Sequence, residues 1–230
     1  MTERRQPNVN SESVDNYLKA ILALGGPEES RVTSTALAQR LGVAPASVTN
    51  MLQKLASVSP ALVKYERHRG VLLSASGKIR ALEVVRHHRL IETFLYEVLD
   101  YPIEEVHEEA ERLEHFISER FEERIAAKLG HPKIDPHGHC IPEMDGKMPR
   151  QNSIALADVR QAGTFVVDSV SDRDASILKS LKAAGIAPGV SLRVRGRRSD
   201  DNYPVSIGRS TRIVHLTRNV ADAIRINCPR

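Results

Sequence analysis

The chain has 230 residues, enough for one or two domains and a third small one, and 41% hydrophobic with 27% charged residues is ordinary globular composition. No run of about 18 apolar residues occurs, and the polar start MTERRQPNVNSES lacks the apolar core of a signal peptide, so we expect no membrane span and a cytoplasmic protein. The two cysteines are too few for a disulfide framework, and the net charge of +4 permits a polyanionic partner.

Three short helices are predicted at the start of the chain. Apolar residues recur at helical spacing in SESVDNYLKAILALGG, and TSTALAQRLGV follows with Thr33 as a cap and Gly42 as a turn. The third segment, APASVTNMLQKLAS, has Pro45 in its first turn and a small, polar outer face. Two short helices joined by a tight glycine turn indicate a helix-turn-helix.

A basic hairpin is predicted directly after these helices. ALVKYERHRGVLLSASGK indicates two short strands, about 61–66 and 70–74, on either side of the tip RHRG. Such a hairpin is the wing of a winged helix, and we expect residues 1–75 to bind double-stranded DNA. The residues expected to approach bases are Pro45, Ser47, Thr49 and Asn50, and those expected to contact phosphates are Lys54, Arg67 and Arg69.

Two long helices are predicted next, from about Ser76 to Asp100 and from about Pro102 to Leu129. The first carries more apolar residues than one buried face needs. An apolar helix pair beside a small winged helix often forms a dimer interface, so we expect a homodimer that reads a palindromic operator.

These two helices carry an unusual stripe of acids and imidazoles. At about 100° per residue, the histidines and glutamates of EEVHEEAERLEH share one face, beside a separate apolar stripe. RHHRLIETF places another His and Glu one turn apart. The residues concerned are His88, Glu92, His107, Glu111, Glu114 and His115. Their convergence from two antiparallel helices predicts a metal site, with nitrogen and oxygen donors that suit Mn²⁺ or Fe²⁺ and would also accept Zn²⁺, Co²⁺, Ni²⁺ or Cd²⁺.

The remainder of the chain changes character. Residues 130–160 are rich in Pro, Gly and His and are interpreted as loop and linker, including HGHC at 137–140, which lacks a second ligand pair for a zinc motif. Residues 161–230 contain short apolar runs, with one helical piece, DASILKSLKAAG, between the first two. They predict a small, mostly β domain, which makes the fold class α+β.

The ordered set of segments resembles the diphtheria toxin repressor family of metal-dependent transcriptional regulators. The similar segments, spread over nearly the whole chain, are VAPASVTNMLQKL, YERHRGVLLSASGK, HRLIETFL, VHEEAERLEH, DPHGHCIP and LKAAGIAPGVSLRV. The resemblance implies a three-domain form: a winged helix over residues 1–75, a helical metal-binding and dimerisation domain over 76–150, and an SH3-like, FeoA-like domain over 151–230.

The resemblance also implies two metal sites. One would use His88, Glu92 and His107 with help from the third domain, where Asp174 matches an acidic ligand and Ile177 replaces its usual companion. The other would use Glu111, Glu114, His115 and a residue of the first helix. Alignment through NYLKAIL places Asn16 there, next to Asp15, and an amide oxygen is a weaker ligand than a carboxylate.

Two features of the chain bear on the identity of the metal, and they favour different ions. Iron-type members of the family have a cysteine where this chain has Glu111, and a hard carboxylate favours Mn²⁺. The third domain favours iron instead, because many manganese-type members lack it. The function implied is a Mn²⁺-dependent repressor of metal-ion homeostasis genes, with an Fe²⁺-dependent repressor of iron uptake genes as the alternative.

Two functions of other classes remain open from the residues alone. A di-metal carboxylate enzyme would use Glu104 and His107, but no second Glu-x-x-His matches them and the winged helix would be idle. A metal-independent DNA-binding protein would leave the acidic stripe as a solvated rim. We therefore expect a regulator and not an enzyme.

Overall fold

The structure, a computed structural model, describes residues 12–26, 28–149, 151–195 and 202–227. It divides into two units. The first unit contains the residues up to His87 and the segments Glu114–Ile117 and Pro142–Met148, and the second contains His88–Leu113, Ser118–Ile141 and the chain from Pro149 onward. Cys140 is half-buried with a free thiol, and Cys228 lies outside the described residues. Within the described ranges, no helix is long and apolar enough to cross a membrane.

The predicted helix-turn-helix is present in the first unit. Helix α1 is Glu12–Gly25, α2 is Ser34–Leu41 and α3 is Pro45–Ser57. The Thr33 side chain accepts a hydrogen bond from the backbone N–H of Ala36, which caps α2 as the sequence predicts. Gly42 ends α2 in the left-handed conformation and turns the chain into α3.

The predicted wing is also present. Strands β1 (Val63–Glu66) and β2 (Gly70–Leu73) pair antiparallel, with Tyr65 opposite Val71. A Cβ at Gly70 would lie 2.5 Å from the carbonyl oxygen of Val32, so only glycine lets the hairpin approach that backbone. Helix α1 packs on α2 and β2 over a shared apolar core. The position of α1 therefore affects the position of the helix-turn-helix and the wing.

The two long helices of the prediction are only partly correct. Helix α4, Ala75–Val98, matches the first. The second was predicted as one helix from 102 to 129 and is wrong, because α5 (Val106–Leu113) and α6 (Glu119–Lys128) are separate. The Ser118 side chain accepts a hydrogen bond from the N–H of Phe121 and starts α6 anew, while 114–117 belongs to the first unit.

The end of the second unit is a six-stranded antiparallel sheet. Its elements are β3 (Ile154–Ala155), a 3₁₀ turn (Leu156–Asp158), β4 (Gly163–Val170), α7 (Ala175–Ala184), β5 (Ser191–Val194), β6 (Tyr203–Ile207), β7 (Ile213–Leu216), α8 (Arg218–Asp222) and β8 (Ile224–Asn227). The strand order is β3-β8-β4-β5-β6-β7. The mostly β domain and the helix between its first two apolar runs are confirmed. Strand β3 begins inside the stretch interpreted as linker.

The first unit depends on its buried apolar side chains, of which Leu52 in α3 is completely buried. Leu52→Ala should lower the free energy of unfolding by about 2–5 kcal/mol, because it removes buried methyl groups and leaves a cavity. Gln53→Ala, one residue along on the exposed side, should change it by less than about 0.5 kcal/mol. Urea unfolding followed by circular dichroism measures both. Equal effects would contradict the assignment of the buried face.

Candidate metal centre

The first group of candidate ligands comes from α4 and α5. His88 and Glu92 lie one turn apart on α4, and the His88 Nε2–Glu92 Oε1 distance is 3.0 Å. His107 on α5 brings its Nδ1 to 3.1 Å from His88 Nε2 and 3.3 Å from Glu92 Oε1. Glu92 is completely buried. The distances show that the three residues converge, as the sequence predicts.

An acidic residue after β4 completes this group, and it is Asp172. Its Oδ2 lies 3.7 Å from His107 Nδ1, and one ligand atom from each of His88, Glu92, His107 and Asp172 lies within 4.8 Å of the others. The sequence analysis named Asp174 instead. Asp174 is exposed and its carboxylate accepts the backbone N–H groups of Ser176 and Ile177, which makes it the N-cap of α7.

The segment DPHGH forms a buried loop beside these residues. His137 is completely buried and Asp135 nearly so. The Asp135 Oδ1 atom accepts the backbone N–H groups of His137 at 2.8 Å and His139 at 2.9 Å. The sequence predicts a loop here, and the structure has one, but no metal ligand was predicted in this segment. Two histidines around a glycine, two residues after an aspartate, were the signal available in the sequence.

Several polar atoms in this part of the second unit lack a hydrogen-bond partner although they are buried. They are Glu92 Oε2, Asp135 Oδ2, His137 Nδ1 and His139 Nδ1. Buried carboxylate and imidazole atoms without hydrogen bonds are costly unless a cation fills the space between them. Carboxylate oxygens and imidazole nitrogens are ligands of divalent transition metals, so the residues present fit such an ion.

The pKa directions agree with an anionic ligand set. Burial raises the pKa of Glu92, but the charge of His88 and the imidazoles of His107 and His137 outweigh it and hold that pKa well below its usual range. Burial lowers the pKa of His137, yet the carboxylate of Glu92, with Asp135 and Asp172 further off, raises it to about 9. A metal that binds His137 must therefore compete with the proton on its imidazole.

The second group of candidate ligands lies in the first unit. His115 Nδ1 is 3.4 Å from Asp15 Oδ2 on α1, and His115 Nε2 is 3.3 Å from Glu114 Oε1. Lys19 Nζ, also on α1, contacts both oxygens of Glu114, at 2.6 and 2.7 Å. Both His115 nitrogens are buried without a hydrogen-bond partner, which fits a metal ligand here too.

The remaining residues predicted for the second site are placed differently. The contact from α1 is made by Asp15, whereas the neighbouring Asn16 is half-buried on the same helix. Burial raises the pKa of Asp15, but the nearby His115 imidazole and the Arg80 guanidinium lower it, so Asp15 is an anion. Glu111 belongs to the second unit, where its Oε1 lies 3.9 Å from His88 Nδ1.

The residues predicted to contact DNA lie on α3 and the wing. Pro45, Ser47 and Asn50 are exposed on α3, and Thr49 and Lys54 are half-buried there. Arg67 and Arg69 are exposed at the wing tip. Arg69 and Arg31 both pair with Glu66, so Arg31 adds a basic side chain to the wing that the sequence analysis did not name.

Comparison with known proteins gives three family matches along the chain. Residues 10–71 match the iron dependent repressor N-terminal DNA binding domain, 74–143 match the iron dependent repressor metal binding and dimerisation domain, and 154–228 match the FeoA domain. These matches confirm the predicted fold class, with its helix-turn-helix, dimerisation and SH3-like parts.

Individual relatives cover almost the whole chain. The iron-dependent repressor IdeR of Mycobacterium tuberculosis is 30% identical over 197 residues, covering 80% of this chain and 84% of the relative. IdeR of Mycobacterium leprae is 26% identical, with 94% and 96% covered. Among solved structures, a manganese-dependent transcriptional repressor in complex with manganese is 38% identical with a TM-score of 0.86, covering 94% of this chain and 99% of that one. ScaR with bound Zn²⁺ is 31% identical with a TM-score of 0.79, covering 94% and 99%.

Glu92 is the most buried carboxylate in its group, so its substitution tests the group most directly. Glu92→Gln should weaken Mn²⁺ binding to the chelator-treated protein by at least about tenfold, because it removes a buried anionic ligand. Glu97→Gln, on the exposed side of the same helix, should leave the affinity unchanged. Isothermal titration calorimetry measures both. An unchanged affinity in Glu92→Gln would exclude this carboxylate as a ligand.

Proposed function

Because the chain belongs to the diphtheria toxin repressor family of metal-dependent transcriptional repressors, we propose that it is a manganese-dependent repressor of metal-ion homeostasis genes. The family consists of DNA-binding regulators with a dimerisation domain, so DNA and a second copy of the chain are its partners and it is not an enzyme. The observation that carries the proposal is the convergence of buried His and Glu side chains with no thiolate among them.

Three observations favour manganese. The candidate groups among the described residues offer only nitrogen and oxygen donors, which suit a hard to borderline ion. Glu111 stands where iron-type members have a cysteine. The manganese-dependent repressor is 38% identical to this chain, against 26–30% for the iron-dependent relatives, and it is matched over 99% of its length. A third domain is thus compatible with manganese dependence, so its presence does not favour iron over manganese.

Iron remains the second candidate. The family descriptions and the IdeR relatives name iron, and imidazole with carboxylate also suits Fe²⁺. An Fe²⁺-dependent repressor of iron uptake genes would use the same ligands. Zn²⁺, Co²⁺, Ni²⁺ and Cd²⁺ should substitute in vitro.

We assign the ligands in two sets. The first is His88, Glu92 and His107 with Asp172, which takes the role that the sequence analysis gave to Asp174. The second is Glu114 and His115 with Asp15, which takes the role given to Asn16. Glu111 stays a proposed ligand on the sequence argument. The domain boundaries 1–75, 76–150 and 151–230 are part of the same proposal.

The second ligand set suggests how metal controls the position of the DNA-binding helices α2 and α3. Asp15 lies on α1, which packs on α2 and β2, and Glu114 and His115 lie on a segment outside the winged helix. A bound divalent ion supplies positive charge to the two carboxylates. Asp15 then ties α1 to residues 114–117 and fixes α2 and α3 for DNA. DNA binding and metal binding are reciprocally coupled, typically by about 1–3 kcal/mol.

The operator contacts follow from exposure and charge. Pro45, Ser47, Thr49 and Asn50 on the N-terminal part of α3 approach base edges, because that part of a recognition helix enters the major groove. The phosphate contacts are made by Lys54, Arg67 and Arg69. A homodimer presents two winged helices related by two-fold symmetry, so the operator is expected to be palindromic.

The proposal is tested by DNA binding to a genomic fragment pool, using chelator-treated protein titrated separately with Mn²⁺ and Fe²⁺ under anaerobic conditions. Sequence-selective affinity should rise by about 5- to 150-fold with Mn²⁺. Glu114→Ala should abolish the rise, whereas Glu123→Ala, exposed on α6, should retain it. A rise with Fe²⁺ alone would make iron the effector, and equal affinity with and without chelator would refute metal control.

Lys19 provides a second test of the same site. Its ammonium group contacts both oxygens of Glu114 and would therefore compete with a metal for that carboxylate. Lys19→Gln should raise Mn²⁺ affinity by up to about tenfold, equivalent to about 1.4 kcal/mol.

The matched control is Lys128→Gln, because Lys128 is exposed on α6, outside the winged helix, and should not affect metal affinity. Fluorescence titration of DNA binding against free Mn²⁺ measures the shift. A lower Mn²⁺ affinity in Lys19→Gln would show that the lysine supports metal binding instead of opposing it.

A further inference from the structure

The loop that contains Asp135, His137 and His139 is held rigidly by its own backbone. Ile134 and Cys140 form an antiparallel bridge, and the N–H of Asp135 donates to the carbonyl of His139 at 3.0 Å. These bonds bring the side chains of both ends of DPHGH to one side of a tight turn. The Asp135 Oδ1 atom is used up by the backbone of the turn, which leaves Oδ2 for another partner.

Gly138 fixes where this loop lies. Its φ is +92°, and an added Cβ would lie 2.2 Å from the carbonyl oxygen of Asp168 in β4. The N–H of Val170, also in β4, donates to the carbonyl of His137 at 2.9 Å. The loop is thus fastened to the strand that leads directly to Asp172.

The ligand atoms of the loop converge in the same manner as those of the first set. One atom each from Asp135, His137 and His139 lies within 4.8 Å of the others. His137 Nε2 lies 3.1 Å from the carbonyl oxygen of Ile103. Because a carbonyl can only accept, Nε2 carries the hydrogen and Nδ1 of the neutral ring carries the lone pair. A backbone carbonyl fixing the far nitrogen in this way is the usual support of a metal-bound histidine.

Two carboxylates lie between the loop and the first ligand set. Glu92 Oε1 faces His88 and His107, whereas its Oε2 lies 3.6 Å from His137 Nδ1. Asp172 Oδ2 lies 3.7 Å from His107 Nδ1 and 3.8 Å from His139 Nδ1. Glu92 thus faces two imidazoles of the first set and one of the loop, and Asp172 faces one of each, which is the arrangement of a carboxylate bridge.

We propose that Asp135, His137 and His139 bind a further divalent cation beside the one at His88, Glu92 and His107, with Glu92 and Asp172 shared between the two ions. This inference rests on the proposed function for the first ion only. Two imidazoles with carboxylates suit Mn²⁺, Fe²⁺, Co²⁺ or Zn²⁺. Two divalent ions carry four positive charges, which is enough to offset the three carboxylates of Glu92, Asp135 and Asp172.

The competing explanation is an ion-pair network without a second metal. Arg89 Nε lies 3.6 Å from Asp135 Oδ2, and His139 Nδ1 lies 3.3 Å from the same oxygen. However, the Arg89 guanidinium donates to the carbonyl of Cys140, and Asp135 Oδ2 receives no hydrogen bond. The network therefore leaves unbonded the atoms that a cation would join, and the cation explanation accounts for them better.

The test uses the full chain, treated with chelator and titrated with MnCl₂. Native mass spectrometry counts ions per chain, and electron paramagnetic resonance distinguishes isolated Mn²⁺ from a spin-coupled pair. The wild type should show a coupled signal. His139→Ala should hold one ion fewer per chain and show only isolated Mn²⁺. His139 is partly exposed, so this change should preserve the fold, and circular dichroism checks that. The control is His215→Ala, exposed on β7.

The outcomes separate the two proposals. If wild type and His139→Ala hold the same number of ions and neither shows coupling, the second ion is refuted while the first remains. If His88→Ala removes the coupling and one ion, and His139→Ala removes the coupling and one ion as well, the shared centre is supported. If the wild type holds no Mn²⁺ at all, both the inference and manganese dependence fail.

Discussion

The burial of Glu92 is the constraint on which the metal-binding part of the second unit depends. A carboxylate without solvent exposure needs positive charge around it, and here the charge must come from imidazoles or from a bound cation. His88, His107 and His137 surround it, and the low pKa keeps it ionised. Each of these neighbours comes from a different segment of the chain. A cation at Glu92 therefore joins segments that are far apart in sequence.

The first unit also contains a buried carboxylate that needs positive charge nearby, and there a lysine supplies part of it. Glu114 is almost fully buried and Lys19 of α1 contacts it, so a cationic side chain offsets the charge of this carboxylate. Asp15 is held in the same way by Arg80, with a distance of 2.7 Å. Such pairs stabilise the folded chain, because a buried carboxylate without a partner is strongly destabilising. A divalent ion bound at these carboxylates would exchange one partner for another, which would give a switch instead of an unfolding transition.

The sequence was sufficient for the architecture and for the convergence of His88, Glu92 and His107. Helical spacing revealed α1 to α4, and the His-x-x-x-Glu pair on α4 needed only one turn of helix to converge. The break after Leu113 could not be read in that way, since the periodicity of EEVHEEAERLEH continues through it. Only the cap at Ser118 marks the restart, and a capping serine is common within polar sequence.

The ligand choices that changed have the same physical origin. Asp172 and Asp174 are both acidic and two residues apart, and the sequence does not reveal which one caps α7. Asn16 and Asp15 are adjacent on α1, and an error of one residue rotates the side chain by about 100°. The DPHGH loop was underestimated because a Pro- and Gly-rich segment normally lies at the surface. Its burial depends on Gly138 fitting against β4, a contact between residues distant in sequence.

The central claim is that metal ties α1 to residues 114–117 and thereby fixes the DNA-reading helices. Hydrogen–deuterium exchange of the chelator-treated chain, with and without Mn²⁺, tests it most directly. The account predicts slower amide exchange in residues 12–25 and 114–118 of the wild type when Mn²⁺ is added, and no such slowing by Mn²⁺ in Glu114→Ala. Unchanged exchange in residues 12–25 at saturating Mn²⁺ would contradict it.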